Sequence, residues 1–210
     1  RLELATKKNS SNHLLEFSQF DIEMKNKTIA DVMDFIEGLY KHLLPQINQQ
    51  CKMELNLLGR TLPNFVRPFP RLSTAHLAYD KVDAFCDDVS QKTDIPTFII
   101  SFKREFYDKE NIEKPGTYLN FDMVYPEGFG EALSGAEREH EYYQILKRMN
   151  ELNMDLRPFT NYLELAKNNF IPQTAGCGIG IQRLLKYICG KKLIKDVCLF
   201  DRSLTTEFVF

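Results

Sequence analysis

A run of alternate glycines followed by an arginine constrains this chain more than any other part of its sequence. The run places Gly176, Gly178 and Gly180 at every second position, and Arg183 follows. Because residues two apart on a strand share a face, these glycines leave one strand face without side chains, and a flat ligand can lie against the backbone. Arg183 would enter the first turn of a helix, where it can contact phosphate oxygens. The alternative is a glycine-rich strand packed closely on a helix, with Arg183 in a salt bridge.

Two acidic residues in neighbouring strand segments form a second candidate site. Asp122 lies in an apolar segment predicted as a strand over residues 118–125, and Glu131 lies in another predicted over residues 129–134. If the two strands pair, their carboxylates can share a face and hold Mg²⁺ beside phosphate groups. The alternative is charge neutralisation across the strands, which explains an acid within an apolar strand badly.

Arg138 stands at the start of a helix that the sequence predicts over residues 137–152. There its guanidinium could form a bidentate pair with a carboxylate ligand. The alternative is that Arg138 neutralises Glu137 or Glu139 on the helix surface, where acids near the helix start also favour the dipole.

A third pattern lies at the start of the chain, where Arg1 and Glu3 stand two residues apart. On a strand they would point to the same face and could hold a phosphate and an amino group. Phe17, which follows a polar loop, could stack on a base. The alternative for Arg1 and Glu3 is an ordinary surface ion pair.

Hydrophobic periodicity and turn residues predict an α+β fold in which helices flank a largely antiparallel sheet. The strands are grouped and do not alternate regularly with helices, which argues against a parallel βαβ sheet. Pro45 is expected to end the first helix and Gly190 the last. The predicted strands are residues 13–23, 97–102, 118–125, 129–134, 175–180 and 197–200, and the predicted helices are residues 28–44, 73–85, 137–152, 158–168 and 181–189.

Composition places the chain among globular domains without a membrane span. Its 210 residues suit one domain, 43% hydrophobic residues are too many for disorder, and the most apolar stretch is only strand-sized. The net charge of −2 excludes a general polycation, so nucleic-acid contact would need a local patch. Five cysteines without a C-x-x-C pair or a signal peptide predict reduced thiols in the cytoplasm, and the four histidines lack metal-ligand spacing.

In their order and intervals, these patterns resemble the catalytic core of class II aminoacyl-tRNA synthetases, specifically the aspartyl and asparaginyl group. The R-x-E that opens the chain, followed by residues 13–23, is similar to the second motif of the class, and residues 176–183 are similar to the third. Residues 69–73 and 130–138 resemble segments of the asparaginyl enzymes. The resemblance covers nearly all of the chain and implies a class II synthetase-like antiparallel sheet flanked by helices.

The resemblance also implies a role for each candidate residue. The three catalytic arginines would be Arg1 on the α-phosphate and reacting carboxylate, Arg183 on the γ-phosphate and adenine, and Arg138 on the side-chain end of aspartate or asparagine. The other implied assignments are Glu3 on the adenine amino group, Phe17 stacked on the adenine, Gly178 and Gly180 in the ATP site, Gly176 in the amino-acid site, and Asp122 and Glu131 on Mg²⁺.

The implied reaction is attack of a carboxylate on the α-phosphorus of ATP, which gives an acyl adenylate and pyrophosphate. ATP and Mg²⁺ are the expected cofactors. Positioning and charge neutralisation by the metal and the arginines supply the catalysis, and no covalent protein nucleophile is needed.

Departures from the tRNA-ligase pattern favour an enzyme that makes asparagine. Residues 172–176 lack the histidine that usually precedes the third motif, and Gln182 stands where an acidic residue is usual. Residues 103–110 resemble a segment of the archaeal asparagine synthetases related to asparaginyl-tRNA synthetase, which amidate aspartate. We therefore expect an ATP-dependent, AMP-forming asparagine synthetase. The alternatives are a catalytic fragment of an asparaginyl- or aspartyl-tRNA synthetase and a non-catalytic synthetase-like binding protein.

The chain begins inside the second motif, so residues 1–210 are expected to form a single catalytic domain that lacks the first motif. The resemblance implies a cytoplasmic homodimer that binds aspartate or asparagine and ATP. The charge does not support tRNA as a partner, although the resemblance allows it. The nearest approach to a basic patch is a group of lysines at the end of the last predicted helix, where a solvated helix terminus is usual: Lys186, Lys191, Lys192 and Lys195.

Overall fold

The structure, a computed structural model, describes Leu14, residues 16–102 and residues 105–200. Within this part of the chain, six strands form one sheet in the order β1-β6-β5-β4-β3-β2. Every neighbouring pair is antiparallel except β2 and β3, which are parallel. The strands are β1 (Gln19–Lys25), β2 (Arg71–Ser73), β3 (Thr97–Ile100), β4 (Asn120–Tyr125), β5 (Gly130–Glu137) and β6 (Thr174–Gly180).

Six α-helices and three short 3-10 helices accompany the sheet in the described residues, so the predicted α+β class is confirmed. The α-helices are α1 (Ile29–Gln50), α2 (Lys52–Leu57), α3 (Val82–Lys92), α4 (Tyr142–Glu151), α5 (Thr160–Lys167) and α6 (Ile181–Cys189). The 3-10 helices are Tyr79–Lys81, Arg157–Phe159 and Ile194–Val197.

Helix α1 begins as its sequence predicts but continues past its proline. Thr28 and Asp31 form a reciprocal capping box at its start. The expectation that Pro45 ends the helix is wrong, because Pro45 lies inside it and the helix continues to Gln50. Apolar contacts hold the helix together on both sides of the proline: Leu44 is fully buried, and Ile47 packs on the same core. This packing offsets the backbone hydrogen bond that proline cannot donate.

The two faces of the sheet are covered unequally. On one face, α1 and the aromatic residues of β3 and β4 build the main core, which includes Ile36, Tyr40 and Phe121. On the other face, α3 lies over β3, β4 and the start of β5, and it packs Val82 and Cys86 against neighbouring strand residues. The face of β1, β6 and the rest of β5 opposite α1 therefore stays open, and a cleft forms on this open face.

Several predicted boundaries are corrected by the sheet. The helix predicted from residue 73 begins only at Val82, and Arg71–Ser73 is a strand instead, because it pairs in parallel with β3. The helix predicted from residue 137 begins at Tyr142, because Glu137 still pairs with Ala175 of β6. Residues 198–200 are not a strand, and Val197 ends a 3-10 helix.

Two expectations from composition can be compared with the described residues. No helix in this part of the chain has the length and apolarity that crossing a bilayer requires. The five cysteines are all free thiols in the structure, which agrees with the prediction of reduced cysteines.

Candidate functional site

A cleft of about 1320 Å³ lies on the open sheet face and collects predicted site residues that are far apart in the sequence. Phe17 lines it from the segment before β1, Arg138 from the end of β5, and Arg183 from the first turn of α6. Glu131 at the start of β5 also lines it. Arg1 and Glu3 lie outside the described residues, so their assignments stay predictions.

The alternate glycines of β6 do face away from the core, but the strip they leave is not empty. Cys177 and Ile179 belong to the core, and Gly178 and Gly180 line the cleft, which Cys177 also borders. A Cβ atom at Gly176 would overlap the Glu23 carboxylate and the Ile22 carbonyl of β1, so this position is filled by the neighbouring strand. Gly176 itself is not among the residues that line the cleft.

Glu131 and Arg183 form an ion pair across the cleft. The Arg183 Nη1 atom lies 2.8 Å from Glu131 Oε1, and both side chains are partly exposed. The Ser134 hydroxyl donates to the same carboxylate oxygen at 2.9 Å. Arg183 is thus in a salt bridge, as the alternative interpretation proposed, and it also reaches into the open cleft, as the functional interpretation requires.

A β-bulge aims Glu131 at the cleft. Asp122 pairs with Ser134, and with the same register Glu131 would pair with Tyr125 and point into the core. The irregularity between Met123 and Val124 brings Glu131 opposite Val124 instead. A bulge shifts the alternation of side chains by one residue, so Glu131 joins the face that carries Asp122 and Ser134.

The two carboxylates of the predicted metal site therefore share one face of adjacent strands. Asp122 is 9% exposed in a strand whose residues are all buried, and it is not among the residues that line the cleft. Both Asp122 and Glu131 act on Cys86 of α3: burial is the main reason that the pKa of this thiol rises to about 12, and the two carboxylates add to the rise. Two carboxylates on one face suit Mg²⁺, which takes most of its other ligands from phosphate and water.

Arg138 lies at the strand end and pairs with β1. Its Nη2 atom is 3.2 Å from Glu23 Oε2, and its guanidinium lies over the Tyr107 ring, 5.4 Å from the centroid. The interpretation of Arg138 as a surface helix residue that neutralises Glu137 or Glu139 is wrong, because no helix starts there.

The two neighbouring acids are engaged by other groups. Glu137 accepts a hydrogen bond from the backbone of Ile29 and lies 3.9 Å from the Lys109 ammonium. Glu139 accepts hydrogen bonds from the backbone N–H groups of His140 and Glu141. Arg138 therefore pairs with Glu23 and not with either neighbouring acid, and its side chain lines the cleft.

Sequence reasoning did not assign a role to the polar face of β1. This strand presents three polar side chains to the cleft, and the signal that could have found them is their strict alternation with apolar neighbours. The polar residues are Gln19, Asp21 and Glu23, and the apolar ones are Phe20, Ile22 and Met24. Gln182 of α6 also lines the cleft, and in the sequence it stands out only as a departure from a motif.

Solved structures share the fold of this chain. Asparaginyl-tRNA synthetase from Pyrococcus horikoshii, complexed with asparaginyl-adenylate, has a TM-score of 0.85 at 24% sequence identity, over 98% of this chain and 51% of that chain. Aspartyl tRNA synthetase from Entamoeba histolytica has a TM-score of 0.79 at 25% identity, over 97% of this chain and 47% of that chain.

A curated relative agrees with these structures. An asparagine–tRNA ligase from Lactobacillus delbrueckii subsp. bulgaricus is 30% identical over 213 residues, which cover 91% of this chain and 49% of the relative. The chain thus spans about half the length of this relative. The family described as tRNA synthetases class II (D, K and N) matches residues 7–204. Because that match takes in nearly the whole sequence, the chain belongs to the class II tRNA synthetase family, within its aspartyl and asparaginyl group.

Proposed function

We propose that this chain is the adenylate-forming catalytic part of an asparaginyl- or aspartyl-tRNA ligase. The observation that carries the proposal is one cleft whose two ends carry different kinds of side chain. Phe17 and the Glu131–Arg183 pair lie toward the start of α6, and Arg138 with Glu23 lies at the far ends of β5 and β1. An aromatic ring and an arginine suit a nucleotide, and the guanidinium–carboxylate pair suits a small polar side chain.

In the proposed reaction, the α-carboxylate of the amino acid attacks the α-phosphorus of ATP, and pyrophosphate leaves. Phe17 would stack on the adenine, and Arg183 would leave Glu131 to contact the γ-phosphate. Asp122 and Glu131 would hold Mg²⁺, which would neutralise phosphate charge when bound. The chain's own contribution is to orient the two reactants and to place positive charge where negative charge develops.

The Arg138–Glu23 pair favours asparagine as the amino acid. A side-chain amide has one acceptor and one donor group, so its oxygen can accept from Arg138 while its NH₂ group donates to Glu23. Aspartate would also accept from Arg138, but its second oxygen would face the Glu23 carboxylate, and two like charges repel. The Glu23 carboxylate therefore favours the asparaginyl assignment over the aspartyl one.

The test is amino-acid-dependent exchange of pyrophosphate into ATP by the whole chain. We expect exchange with asparagine, less with aspartate and none with lysine, and charging of tRNA when tRNA is supplied. Glu23→Gln should raise the aspartate rate relative to the asparagine rate, because it removes the repelling charge. If neither asparagine nor aspartate supports exchange while ATP still binds, the chain is a non-catalytic binding protein and the proposal fails.

A second candidate is the asparagine synthetase expected from the sequence. One observation favours it: Glu105 and Tyr107, from the segment that resembles the archaeal asparagine synthetases, line the same cleft. In that case an aspartyl adenylate is attacked by ammonia instead of tRNA. Incubation with aspartate, ATP, Mg²⁺ and ammonia should then give asparagine, AMP and pyrophosphate in equal amounts. Charging of tRNA without asparagine formation would decide for the ligase.

A further inference from the structure

The first turn of α6 forms hydrogen bonds with both backbone polar groups of Ser18, its carbonyl and its N–H. The Ile181 N–H donates to the Ser18 carbonyl at 3.0 Å, and the Ser18 N–H donates to the Gln182 side-chain oxygen at 3.0 Å. The ladder between β1 and β6 has its first pair at Gln19 and Gly180. Ser18 therefore lies just beyond the ladder, where the Gln182 side chain supplies an acceptor that no strand residue provides.

This contact fixes the residue that precedes Ser18. Phe17 is half-buried and lines the cleft. Its backbone leads directly to Ser18, whose N–H and carbonyl are held by these two hydrogen bonds. A backbone held at one peptide restricts the directions available to the neighbouring side chain. The orientation of the Phe17 ring thus depends on Gln182, although the two side chains belong to opposite ends of the chain.

The chemical character of Gln182 matters as well. Its neighbour Arg183 carries the positive charge that the proposed function assigns to phosphate binding. A carboxylate at position 182 could accept the same hydrogen bond, but it would add a negative charge beside that arginine and the phosphates. The glutamine amide accepts the hydrogen bond and stays neutral.

We propose that Gln182 is a positioning residue for nucleotide binding: it holds Phe17 in the orientation that stacks on adenine, without weakening the phosphate site. This inference rests on the proposed function, because it takes adenine as the occupant of the Phe17 end of the cleft. It predicts that adenine recognition and phosphate recognition respond differently to changes at position 182.

The experiment compares two probes by calorimetric titration: AMP, which contains adenine, and tripolyphosphate, which does not. Gln182→Met keeps the volume of the side chain and removes the acceptor. We expect it to weaken AMP binding about 2- to 12-fold, the effect of one hydrogen bond, and to leave tripolyphosphate affinity unchanged. Gln182→Glu should recover AMP affinity relative to Gln182→Met and should weaken tripolyphosphate binding more than AMP binding, because tripolyphosphate carries more negative charge.

A fluorescence measurement gives an independent reading. The chain has no tryptophan, so Phe17→Trp places a single reporter at the stacking position. In that background, Gln182→Met should lower the fluorescence anisotropy of the tryptophan and reduce its quenching by AMP. Equal loss of affinity for both probes, or unchanged AMP affinity and anisotropy in Gln182→Met, would overturn the inference. If the wild-type chain binds neither AMP nor ATP, it is the proposed function that fails, and the two failures are therefore distinguishable.

Discussion

A single carboxylate, that of Glu131, affects both ligands that the cleft is proposed to take, the metal ion and the polyphosphate. In the structure it is held by Arg183 and Ser134. A metal ion would need the carboxylate, and a polyphosphate would need the guanidinium. Each ligand must therefore displace one member of the same ion pair, and removal of one member should help the ligand that uses the other.

The first prediction follows from this competition. Glu131→Gln should strengthen the binding of tripolyphosphate in the presence of EDTA, because Arg183 loses its competing partner. The gain should be modest, up to about 5-fold, since the ion pair is partly exposed. The same variant should bind Mn²⁺ more weakly in electron paramagnetic resonance titrations. Weaker tripolyphosphate binding in Glu131→Gln would show that the pair does not compete with the phosphate.

Arg183→Ala is expected to have the opposite effect on nucleotide. Loss of a charge-assisted hydrogen bond to phosphate should weaken ATP binding roughly 10- to 150-fold, while asparagine affinity stays near the wild-type value. Arg157→Ala is the matched control, because Arg157 is an exposed arginine that pairs with Asp155 outside the cleft. Calorimetric titration of both ligands checks the prediction, and equal losses for ATP and asparagine would contradict it.

Arg138→Leu should separate the two ligands in the other direction. The variant leaves Glu23 without its guanidinium partner at the amino-acid end of the cleft. We expect asparagine and aspartate binding to fall below detection, whereas ATP binds with nearly wild-type affinity. Equilibrium dialysis with labelled amino acid measures this, and retained amino-acid binding would show that Arg138 serves only the local ion pair.

At this scale the sequence pattern identified residues better than it identified their partners. Arg183 and Glu131 stand out because they follow glycines in strand-like segments, and Arg138 stands out as an arginine at the start of a predicted helix. Glu23 and Gln182 received no role, because what they contact lies on another strand or at the other end of the chain. Such contacts depend on the sheet order, which local periodicity does not contain.

At the scale of elements, the limit of sequence reasoning is the register between strands. The predicted pairing of residues 118–125 with 129–134 is essentially the pairing of β4 with β5. Strict alternation, however, places Glu131 on the core face with Tyr125, and only the bulge after Met123 turns it to the cleft. Asp122 and Glu131 share a face in the structure for a reason that the sequence alone does not show.

Helix α3 provides a prediction about pH. The pKa of the Cys86 thiol is raised to about 12 in the folded protein, mainly by burial, whereas a thiol in the unfolded chain titrates near 8.5. Between these values the unfolded state binds fewer protons than the folded state, so the free energy of unfolding falls as the pH rises through this window. Below about pH 8 this contribution to stability is fully present.

The measurement is urea unfolding at several pH values from 8 to 11. Cys86→Ala should show a smaller loss of stability with pH than the wild type, by up to about 1.4 kcal/mol for each pH unit. Val89→Ala is a suitable control, since Val89 packs on the same cluster and does not titrate. The control should lower stability equally at every pH. Parallel curves for wild type and Cys86→Ala would rule out a contribution from this thiol.

At the scale of the whole molecule, the cleft exists because strands from the two ends of the chain are neighbours. Strand β1 pairs with β6 along its full length, and β6 pairs in turn with β5. Glu23 thereby pairs with Arg138, and Phe17 lines the same cleft as Arg183, although each pair is more than a hundred residues apart in sequence. The closeness of β1 to β6 is therefore a condition both for folding and for the site.

The last prediction tests the close approach of β1 to β6 with two glycines of β6. Gly176→Ala puts a methyl group against the Ile22 carbonyl, a backbone atom that cannot turn away, so β1 must move from β6. We expect a loss of roughly 1–3 kcal/mol in the free energy of unfolding and weaker asparagine binding, since Glu23 moves with β1. Gly180→Ala is the matched control: its Cβ would lie 3.5 Å or more from the Arg183 side chain, an ordinary contact, and its φ of −70° suits alanine. Stability should then be nearly unchanged. Urea unfolding of both variants measures the difference, and equal losses would mean that the close approach of β1 to β6 does not limit the fold.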